Sequence, residues 1–254
     1  MYKIHDSSLT TTHSARSIGF IFDVHLTFSD QISALSKSCY YHIRKLRCTR
    51  PYLDFKTVST IVTSIVHSKL DYCNSLYHKL PNYQLNRLQQ IQNSLARAVV
   101  KAPKSSHITP ILKSLHWLKV NERIEYKRLS LTYNVLTITQ PSYLNYLTSV
   151  QPPRSTRSSS VVTLSRPPTI SSLKITDRSF RYALPRLWNQ LPDSFRQPRH
   201  LYSSPHSLVS SSLSSSPLSS SITPSLFRSR LKTYIFNKSF THYHYSLFLP
   251  IGLP

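Results

Sequence analysis

The sequence predicts a mainly α-helical protein that begins with a small β-hairpin and ends in a long, largely disordered Pro/Ser-rich tail with short helices. Between residues 29 and 148, apolar residues recur every three to four positions, which is the period of an amphipathic helix. From 203 to 225, thirteen of twenty-three residues are serine, a low-complexity composition that does not build a packed core. Only two glycines occur, so Gly-rich phosphate loops are not expected.

The first elements are expected to be a disordered start and a short hairpin. Residues 1–17 are polar and give no periodic signal. An apolar run of β-prone residues at 18–23 predicts a strand, and the stretch 26–28 is expected to pair with it. The hairpin is therefore predicted over 18–28.

Three helices are predicted next. The apolar period becomes helical at Ser29, which is placed as the N-cap of a helix that ends before Pro51. Asp54 has the position and chemistry of an N-cap for a second helix. A third, shorter helix is expected over 70–80, where Pro81 stops it.

The clearest helical pattern lies in the middle of the chain. One apolar stripe runs over about 81–100, with polar residues mostly on the other side. A short helix is expected to begin with Thr109 as N-cap and Pro110 as its first residue. A long helix over about 121–137 follows, and Pro141 opens one or two further turns.

These elements divide the sequence into regions. The predicted helices make one helical domain over 29–148, since short antiparallel helices can bury their apolar stripes against one another. An irregular extension is expected over 149–202 and a serine-rich low-complexity segment over 203–225. The region 226–254 holds a terminal amphipathic helix, predicted over about 227–236, and a tail.

The charge balance points to a polyanionic partner. The chain has 32 Lys and Arg against 9 Asp and Glu, a formal net charge of +23. Such a field concentrates polyanions at the surface, and nucleic acid is the usual partner of so basic a protein. The alternative is that the bias merely reports the translation of decayed DNA.

The sequence favours an intracellular protein, in the nucleus or the cytoplasm. Its three cysteines are odd in number and form no disulfide framework, which suits a reducing compartment. No signal peptide and no apolar run long enough to span a bilayer are visible, so no membrane association is expected.

Other chemistries find little support in the sequence. Cys39 and His42, with Cys48, weakly suggest a zinc knuckle, but the spacing is wrong and Cys39 falls on an apolar helical stripe, so a core cysteine is the better interpretation. No serine lies in a Gly-x-Ser-x-Gly turn. We therefore expect no catalytic residue and no metal site.

Six segments carry a resemblance to a known family. They read IGFIFD followed by LTF at 18–28, HSKLDYCN at 67–74, LQQIQNSLAR at 88–97, LHWLKV followed by RIEYK at 115–127, PRLWNQLP at 185–192 and LFRSRLKT at 226–233. In this order they resemble the segments that follow the palm in the reverse transcriptases of LINE-type (non-LTR) retrotransposons of the jockey and chicken-repeat kind. The sequence departs from the family pattern at Ile18, Gln31 and Lys119, where Leu, His and Pro are usual.

The resemblance implies the C-terminal part of an RNA-directed DNA polymerase. It implies a primer-grip-like hairpin at the end of the palm, a thumb-like helical domain and a C-terminal extension with a Trp-Asn-x-Leu-Pro box. Family members hold Mg²⁺ with aspartates, two of them adjacent, whereas no two acidic residues are adjacent here. The closest pair, Glu122 and Glu125, is expected to lie on a solvated helix face with local ion pairs. The implied fragment lacks the catalytic palm, needs no cofactor and does not polymerise DNA alone.

The expected partner is RNA or an RNA–DNA hybrid, bound non-specifically through its phosphates. A basic stretch over 87–128, against two glutamates, holds the candidate contacts, which would grip the template–primer duplex on a thumb. The candidate residues are Arg87, Arg97, Lys101, Lys113, Arg123, Lys127 and Arg128, with Lys104 and Lys119 nearby.

Three alternatives to this interpretation stay open. The candidate cations could simply line solvated helix faces. The chain could be a pseudogene product without function, or a basic module that binds nucleic acid or protein without an enzymatic role. The oligomeric state is not predicted by the sequence.

Overall fold

The computed structural model describes residues 13–138, 141–152, 161–168, 174–196 and 222–240. These residues are mainly helical and include one small N-terminal hairpin, which confirms the predicted fold class. The chain divides into two compact units. Unit 1 comprises Met1–Cys73 and Leu80–Lys104, and unit 2 comprises Asn74–Lys79 and Ser105–Pro254.

The division near residue 104 falls inside the range 29–148 that the sequence analysis assigns to one helical domain. The reason lies in the long-range contacts of the central helix 120–138. It packs against the helices 180–189 and 224–240, which come from the far end of the chain, and against the 3₁₀ turn 74–77. Helical periodicity shows that a helix has an apolar face but does not show which helix covers it.

The hairpin of unit 1 differs from the prediction. Strand β1 (Ser14–Ser17) pairs antiparallel with β2 (Phe20–Asp23), with Ser17 opposite Phe20. The two turn residues have positive φ angles, 48° at Ile18 and 76° at Gly19. This is the geometry that a two-residue turn needs to match the strand twist, and glycine supplies it readily. The partner of the predicted strand is thus residues 14–17, which were expected to be disordered, and not 26–28.

The residues after β2 form a turn that leads into the first helix. The Asp23 carboxylate accepts hydrogen bonds from the backbone N–H groups of Thr27 at 2.8 Å and Phe28 at 2.6 Å. Burial acts to raise the pKa of Asp23, but these hydrogen bonds outweigh it and the pKa is lowered. Phe28 adopts a left-handed φ of 58° and is buried. Residues 26–28 are therefore occupied in this turn and cannot extend the hairpin.

The first helices of unit 1 begin largely where the sequence predicts. Helix α1 (Ser29–Thr49) starts at Ser29, although Phe28 holds the N-cap position. Helix α2 (Phe55–Val62) is capped by Asp54, whose carboxylate accepts a hydrogen bond from Thr57 N–H at 3.0 Å, which confirms Asp54 as the N-cap.

The predicted helix over 70–80 is wrong. Helix α2 continues through a π-helical turn (Thr63–His67) into α3 (Ser68–Asp71), and the helix ends there. Cys73 has a left-handed φ of 53°. A short 3₁₀ turn (Asn74–Tyr77) follows instead of a helix. The hydroxyl group of Tyr72 donates a hydrogen bond to the carbonyl oxygen of Ile18.

Helix α4 (Asn82–Val100) completes unit 1 and packs against α1. The predicted apolar stripe is confirmed, since Leu88, Ile91, Leu95 and Val99 are buried. On α1, Cys39 is fully buried, in agreement with a core cysteine. Burial raises the pKa of its thiol to about 11, although the charge of Lys69 acts against the shift.

Unit 2 contains six helices among the described residues. They are α5 (Ile108–Ser114), α6 (Val120–Ile138), α7 (Ser142–Asn145), α8 (Lys174–Arg178), α9 (Phe180–Asn189) and α10 (Pro224–Phe240). Helix α6 agrees with the predicted long helix, and α10 is longer than predicted. Helix α5 has His107 at its N-cap, so Thr109 and Pro110 lie inside its first turn.

The core of unit 2 is built around stacked aromatic rings. Tyr133 of α6 stacks on Phe227 of α10 with ring centroids 3.8 Å apart, and both side chains are buried. The Tyr133 hydroxyl donates to the carbonyl oxygen of Ile222 at 2.5 Å. Aromatic stacking and this hydrogen bond join α6 to the N-terminal end of α10.

The Trp-Asn-x-Leu-Pro box (188–192) is hydrogen-bonded to the segment 162–164 of unit 2. Trp188 is fully buried and its indole N–H donates to the carbonyl oxygen of Val162 at 2.9 Å. The Asn189 amide exchanges two hydrogen bonds with the backbone of Leu164, at 3.0 and 2.9 Å. Leu164 also forms one isolated antiparallel bridge with Val150.

Several expectations concern residues outside the described ranges. These residues include 1–12, 153–160, 197–221 and 241–254. Most of the serine-rich segment and the C-terminal tail are among them, so their predicted disorder stays a prediction. Within the described part of the chain, no helix has both the length and the apolar character needed to cross a bilayer.

Candidate nucleic-acid interface

Unit 1 has a basic cavity where α1 and α4 end. The cavity has a volume of about 380 Å³. Arg47 lies in the last turn of α1 and Arg97 in the last turn of α4. Five cationic and four apolar residues line it: Arg47, Arg50, Arg97, Lys101 and Lys104, with Pro51, Ala98, Ala102 and Pro103. No acidic side chain is among these residues.

Arg50 connects the ends of the two helices. Its Nε atom donates to the carbonyl oxygen of Val99 at 2.9 Å, and its Nη1 atom donates to that of Leu53 at 2.7 Å. Carbonyls at a helix C-terminus have no partner within the helix, so Arg50 satisfies one of them. Because its Nε and Nη1 atoms are both hydrogen-bonded to backbone carbonyls, the Arg50 side chain is held in place where it lines the cavity.

Helix α4 ends in a left-handed residue beside this cavity. Lys101 has a φ of 58°, and the next backbone N–H, of Ala102, donates to the carbonyl oxygen of Arg97 at 3.0 Å. This is a common way to end a helix, in which the left-handed residue turns the chain away from the axis. The turn places the exposed Lys101 next to Arg97, which is half-buried.

Arg87 belongs to a different part of α4. It lies ten residues before Arg97, about 15 Å along the helix axis. Arg87 is exposed, and its Nη2 atom donates to Ser33 Oγ at 3.5 Å. Arg97 and Lys101 therefore line the same cavity, whereas Arg87 lies about three turns away along α4.

In unit 2, the exposed candidates lie on α5 and α6. Lys113, in the last turn of α5, is exposed. Arg123 and Lys127 are four residues apart on α6 and thus share one helix face. Lys127 is exposed and Arg123 is half-buried. Lys119 is half-buried, with its Nζ atom 5.6 Å from the centre of the Phe240 ring.

Arg128 is a correction to the predicted site. Only 2 % of its surface is exposed. Its Nη1 atom donates to the carbonyl oxygens of Ser75 at 3.1 Å and Arg178 at 3.2 Å, and Nη2 donates to that of Ser179 at 3.1 Å. Burial lowers the pKa of the guanidinium to about 10, which leaves it charged at neutral pH. Arg128 is a structural residue and cannot reach a phosphate.

The two glutamates of α6 do not lie on a solvated face, contrary to expectation. Glu122 is half-buried and accepts a hydrogen bond from Ser239 Oγ at 3.1 Å. Glu125 lines a second cavity, of about 230 Å³, with His78. Burial raises the pKa of the Glu125 carboxyl, partly offset by the charge of Lys238, while Glu122 adds to the increase. Both glutamates are half-buried, whereas Lys127 on the same helix is exposed.

The comparisons with known proteins give no relative for this chain. No protein-family model, curated protein or solved structure matches it. Among the described residues, no group of three or more His, Cys, Asp or Glu side chains is arranged to hold a metal ion.

Arg47 and Arg50 are the site residues that the sequence analysis missed. They are about fifty positions from Arg97 and lie in a separate helix and the turn that follows it. A sequence signal does exist. Arginine in the last turn of a helix is typical where cations offset the partial negative charge of the helix end. This signal predicts a favourable helix terminus, however, and not a shared cavity.

Proposed function

We propose that this chain is the post-palm, thumb-containing part of a LINE-type reverse transcriptase and that it binds RNA or RNA–DNA hybrid without catalysing polymerisation. The observation that carries this proposal is the exposed positive charge of α4 and α6. Both helices coincide with segments that resemble the family, 88–97 and 115–127. Cations on exposed helix faces can contact the phosphates of a nucleic acid.

The packing of the family-like segments supports the proposal against a random translation product. Tyr72, in the segment 67–74, hydrogen-bonds the turn of the segment 18–28. Trp188 and Asn189 are hydrogen-bonded to the backbone at 162–164. Phe227, in the last family-like segment, stacks on Tyr133 in the core. Residues that carry the resemblance thus make specific contacts within each unit.

The absence of polymerisation is part of the proposal. Nucleotide addition by two metal ions needs carboxylates that converge on one site. No two of the nine acidic residues are adjacent in the sequence. In the nearest pair, on α6, Glu122 accepts a hydrogen bond from Ser239 and Glu125 lines a cavity. Binding without chemistry is the function that these residues support best.

The test is the salt dependence of binding. The purified chain should bind a short RNA–DNA hybrid at low salt, and the logarithm of its affinity should fall linearly with the logarithm of salt concentration. The variant Lys127→Gln should reduce the slope by about 0.9, the contribution of one phosphate contact in a duplex. Lys37→Gln, at an exposed lysine of α1 outside the candidate site, is the matched control.

One result would reject the proposal, and a second would reject the phosphate contact assigned to Lys127. Absence of binding at low salt excludes a nucleic-acid function and favours either the pseudogene product or a protein-binding module. An equal loss of slope in both variants shows that net charge alone attracts the nucleic acid, without contact by Lys127 in particular.

A further inference from the structure

The basic cavity of unit 1 holds more positive charge than its helix ends require. Each helix C-terminus carries the equivalent of about half a negative elementary charge, so the ends of α1 and α4 together account for about one. Five cationic side chains line the cavity, of which Arg47, Lys101 and Lys104 are exposed, and no acidic side chain of the described residues lines it. Like charges brought together repel one another. The excess is therefore matched to an anion with more than one charge.

Part of the lining of the same cavity is apolar. Pro51, Ala98, Ala102 and Pro103 contribute to its lining. These side chains are short or cyclic, so they leave a shallow surface that suits a planar ring. A volume of about 380 Å³ falls at the lower end of the range of small-ligand sites, about 300–1,000 Å³. The cavity thus has both apolar and cationic residues in its lining.

We propose that this cavity binds one nucleotide that carries a terminal phosphate. The base lies against the apolar lining residues Pro51 and Pro103, and the phosphate contacts the exposed cations Arg47, Lys101 and Lys104. A terminal phosphate has a charge of about −1.5 to −2 at neutral pH, more than an internal phosphodiester. It therefore fits the excess of cations better than the middle of a strand does.

Arg50 positions this site. Its two hydrogen bonds to Leu53 and Val99 hold the end of α1 against the end of α4. Arg47 and Lys101, which line the cavity, come from these two helix ends. Arg50 acts through the backbone and is not itself assigned to the phosphate.

The nucleotide has two possible sources, the end of a strand or a free molecule. For a strand end, the inference rests on the proposed function and names the part of the nucleic acid that unit 1 recognises. For a free nucleotide, it does not depend on that function. The experiment separates the two sources.

Binding is measured with the full chain and four probes, at equal salt. The probes are a short RNA with a 5′-phosphate, the same RNA with a 5′-hydroxyl, AMP and adenosine. The phosphorylated RNA should bind about tenfold more tightly than the hydroxylated one, which is the effect of one charge-assisted hydrogen bond. AMP should bind and adenosine should not.

Two variants locate the effect in the cavity. Arg47→Gln combined with Lys101→Gln should abolish the preference for the phosphorylated end. Ala102→Phe keeps all five cations but places a large side chain in the apolar part of the lining, and should abolish the preference as well. Lys37→Gln is the control, since it removes an exposed charge of α1 about 15 Å along the helix from Arg47. It should retain the preference. Far-UV circular dichroism verifies that each variant is folded.

The failure of this inference is distinct from the failure of the proposed function. Equal affinity for both RNAs, with no binding of AMP, overturns the nucleotide site while salt-dependent binding to the hybrid still stands. Binding of AMP without binding of any RNA supports the site for free nucleotides and rejects the nucleic-acid function. A preference that survives Ala102→Phe overturns the assignment to the cavity.

Discussion

At the scale of single residues, Arg128 illustrates how burial determines the role of a charge. Its three hydrogen bonds end on backbone carbonyl oxygens, which have no charge to neutralise the guanidinium. Such a group is stable in the interior because hydrogen bonds replace its hydration. Lys127, the preceding residue on the same helix, is exposed. Of two adjacent cations, one is thus hydrogen-bonded within the fold and the other is exposed to solvent.

We predict that Arg128→Met destabilises unit 2 by about 3 kcal/mol, because three carbonyl oxygens lose their donor in a buried site. Urea denaturation followed by circular dichroism measures the change. The control Lys127→Met should alter the free energy of unfolding by no more than about 0.5 kcal/mol. Equal effects of the two substitutions would contradict a structural role for Arg128.

His78 gives unit 2 a dependence on pH. Burial lowers the pKa of its imidazole from the ordinary 6.5 to about 4, and the charges of Arg128, Lys79, Arg186 and Arg178 act in the same direction. Protons therefore bind more readily to the unfolded chain. The stability that neutral His78 contributes is complete above pH 6.5 and is lost as the pH falls towards 4.

We predict that acidification destabilises the variant His78→Gln less than it destabilises the wild type. Between pH 7 and pH 5, the free energy of unfolding should fall less in His78→Gln than in the wild type. His107→Gln, which replaces an exposed histidine of the same unit, should keep the wild-type profile. Parallel profiles for the wild type and His78→Gln would show that His78 is not responsible.

At the scale of elements, α6 and α10 depend on each other. Helix α10 contributes Phe227, Leu231 and Ile235 to the core of unit 2, and α6 contributes Tyr133 and Leu136. A single amphipathic helix has no partner for its apolar face in water. The terminal helix is therefore part of the folded unit and not an appendage of the tail.

Phe227→Ala should accordingly destabilise unit 2 by about 3–5 kcal/mol, the usual effect of removing a large buried aromatic ring. Denaturation monitored by near-UV circular dichroism measures this change and also reports the loss of the stack on Tyr133. Arg230→Ala, at an exposed position of the same helix, is the matched control and should stay close to the wild type. A small effect of Phe227→Ala would mean that α10 does not contribute to the core.

At the scale of the whole molecule, the distribution of charge separates binding from catalysis. The net charge of +23 favours the approach of polyanions. Catalysis of nucleotide addition has a stricter requirement, since several carboxylates have to meet at one point. The chain has the first property, and its nine acidic residues are scattered along the sequence.

We therefore predict that the purified chain does not extend a primer. The assay contains primer–template, Mg²⁺ and nucleotides, and compares the chain with a reaction without protein. A gel shift at the same salt concentration is the control for binding. Incorporation above the background would overturn the proposal that the chain is non-catalytic.

The sequence by itself determined the features that depend on local order. The long helices α1, α4 and α6 follow from apolar residues at the helical period, and Asp54 caps α2 because its carboxylate reaches a backbone N–H three residues away. The mainly helical class follows from the same periodicity. Such signals are visible in sequence because their causes lie within one or two turns.

Only the tertiary structure decided which distant residues meet. It paired β2 with residues 14–17, buried Arg128 and placed Arg47 and Arg50 beside Arg97. It also divided the chain near residue 104, within the predicted single helical domain. The physical reason is the same throughout. An apolar face or a charged side chain has many possible partners along the sequence, and only packing in three dimensions selects one of them.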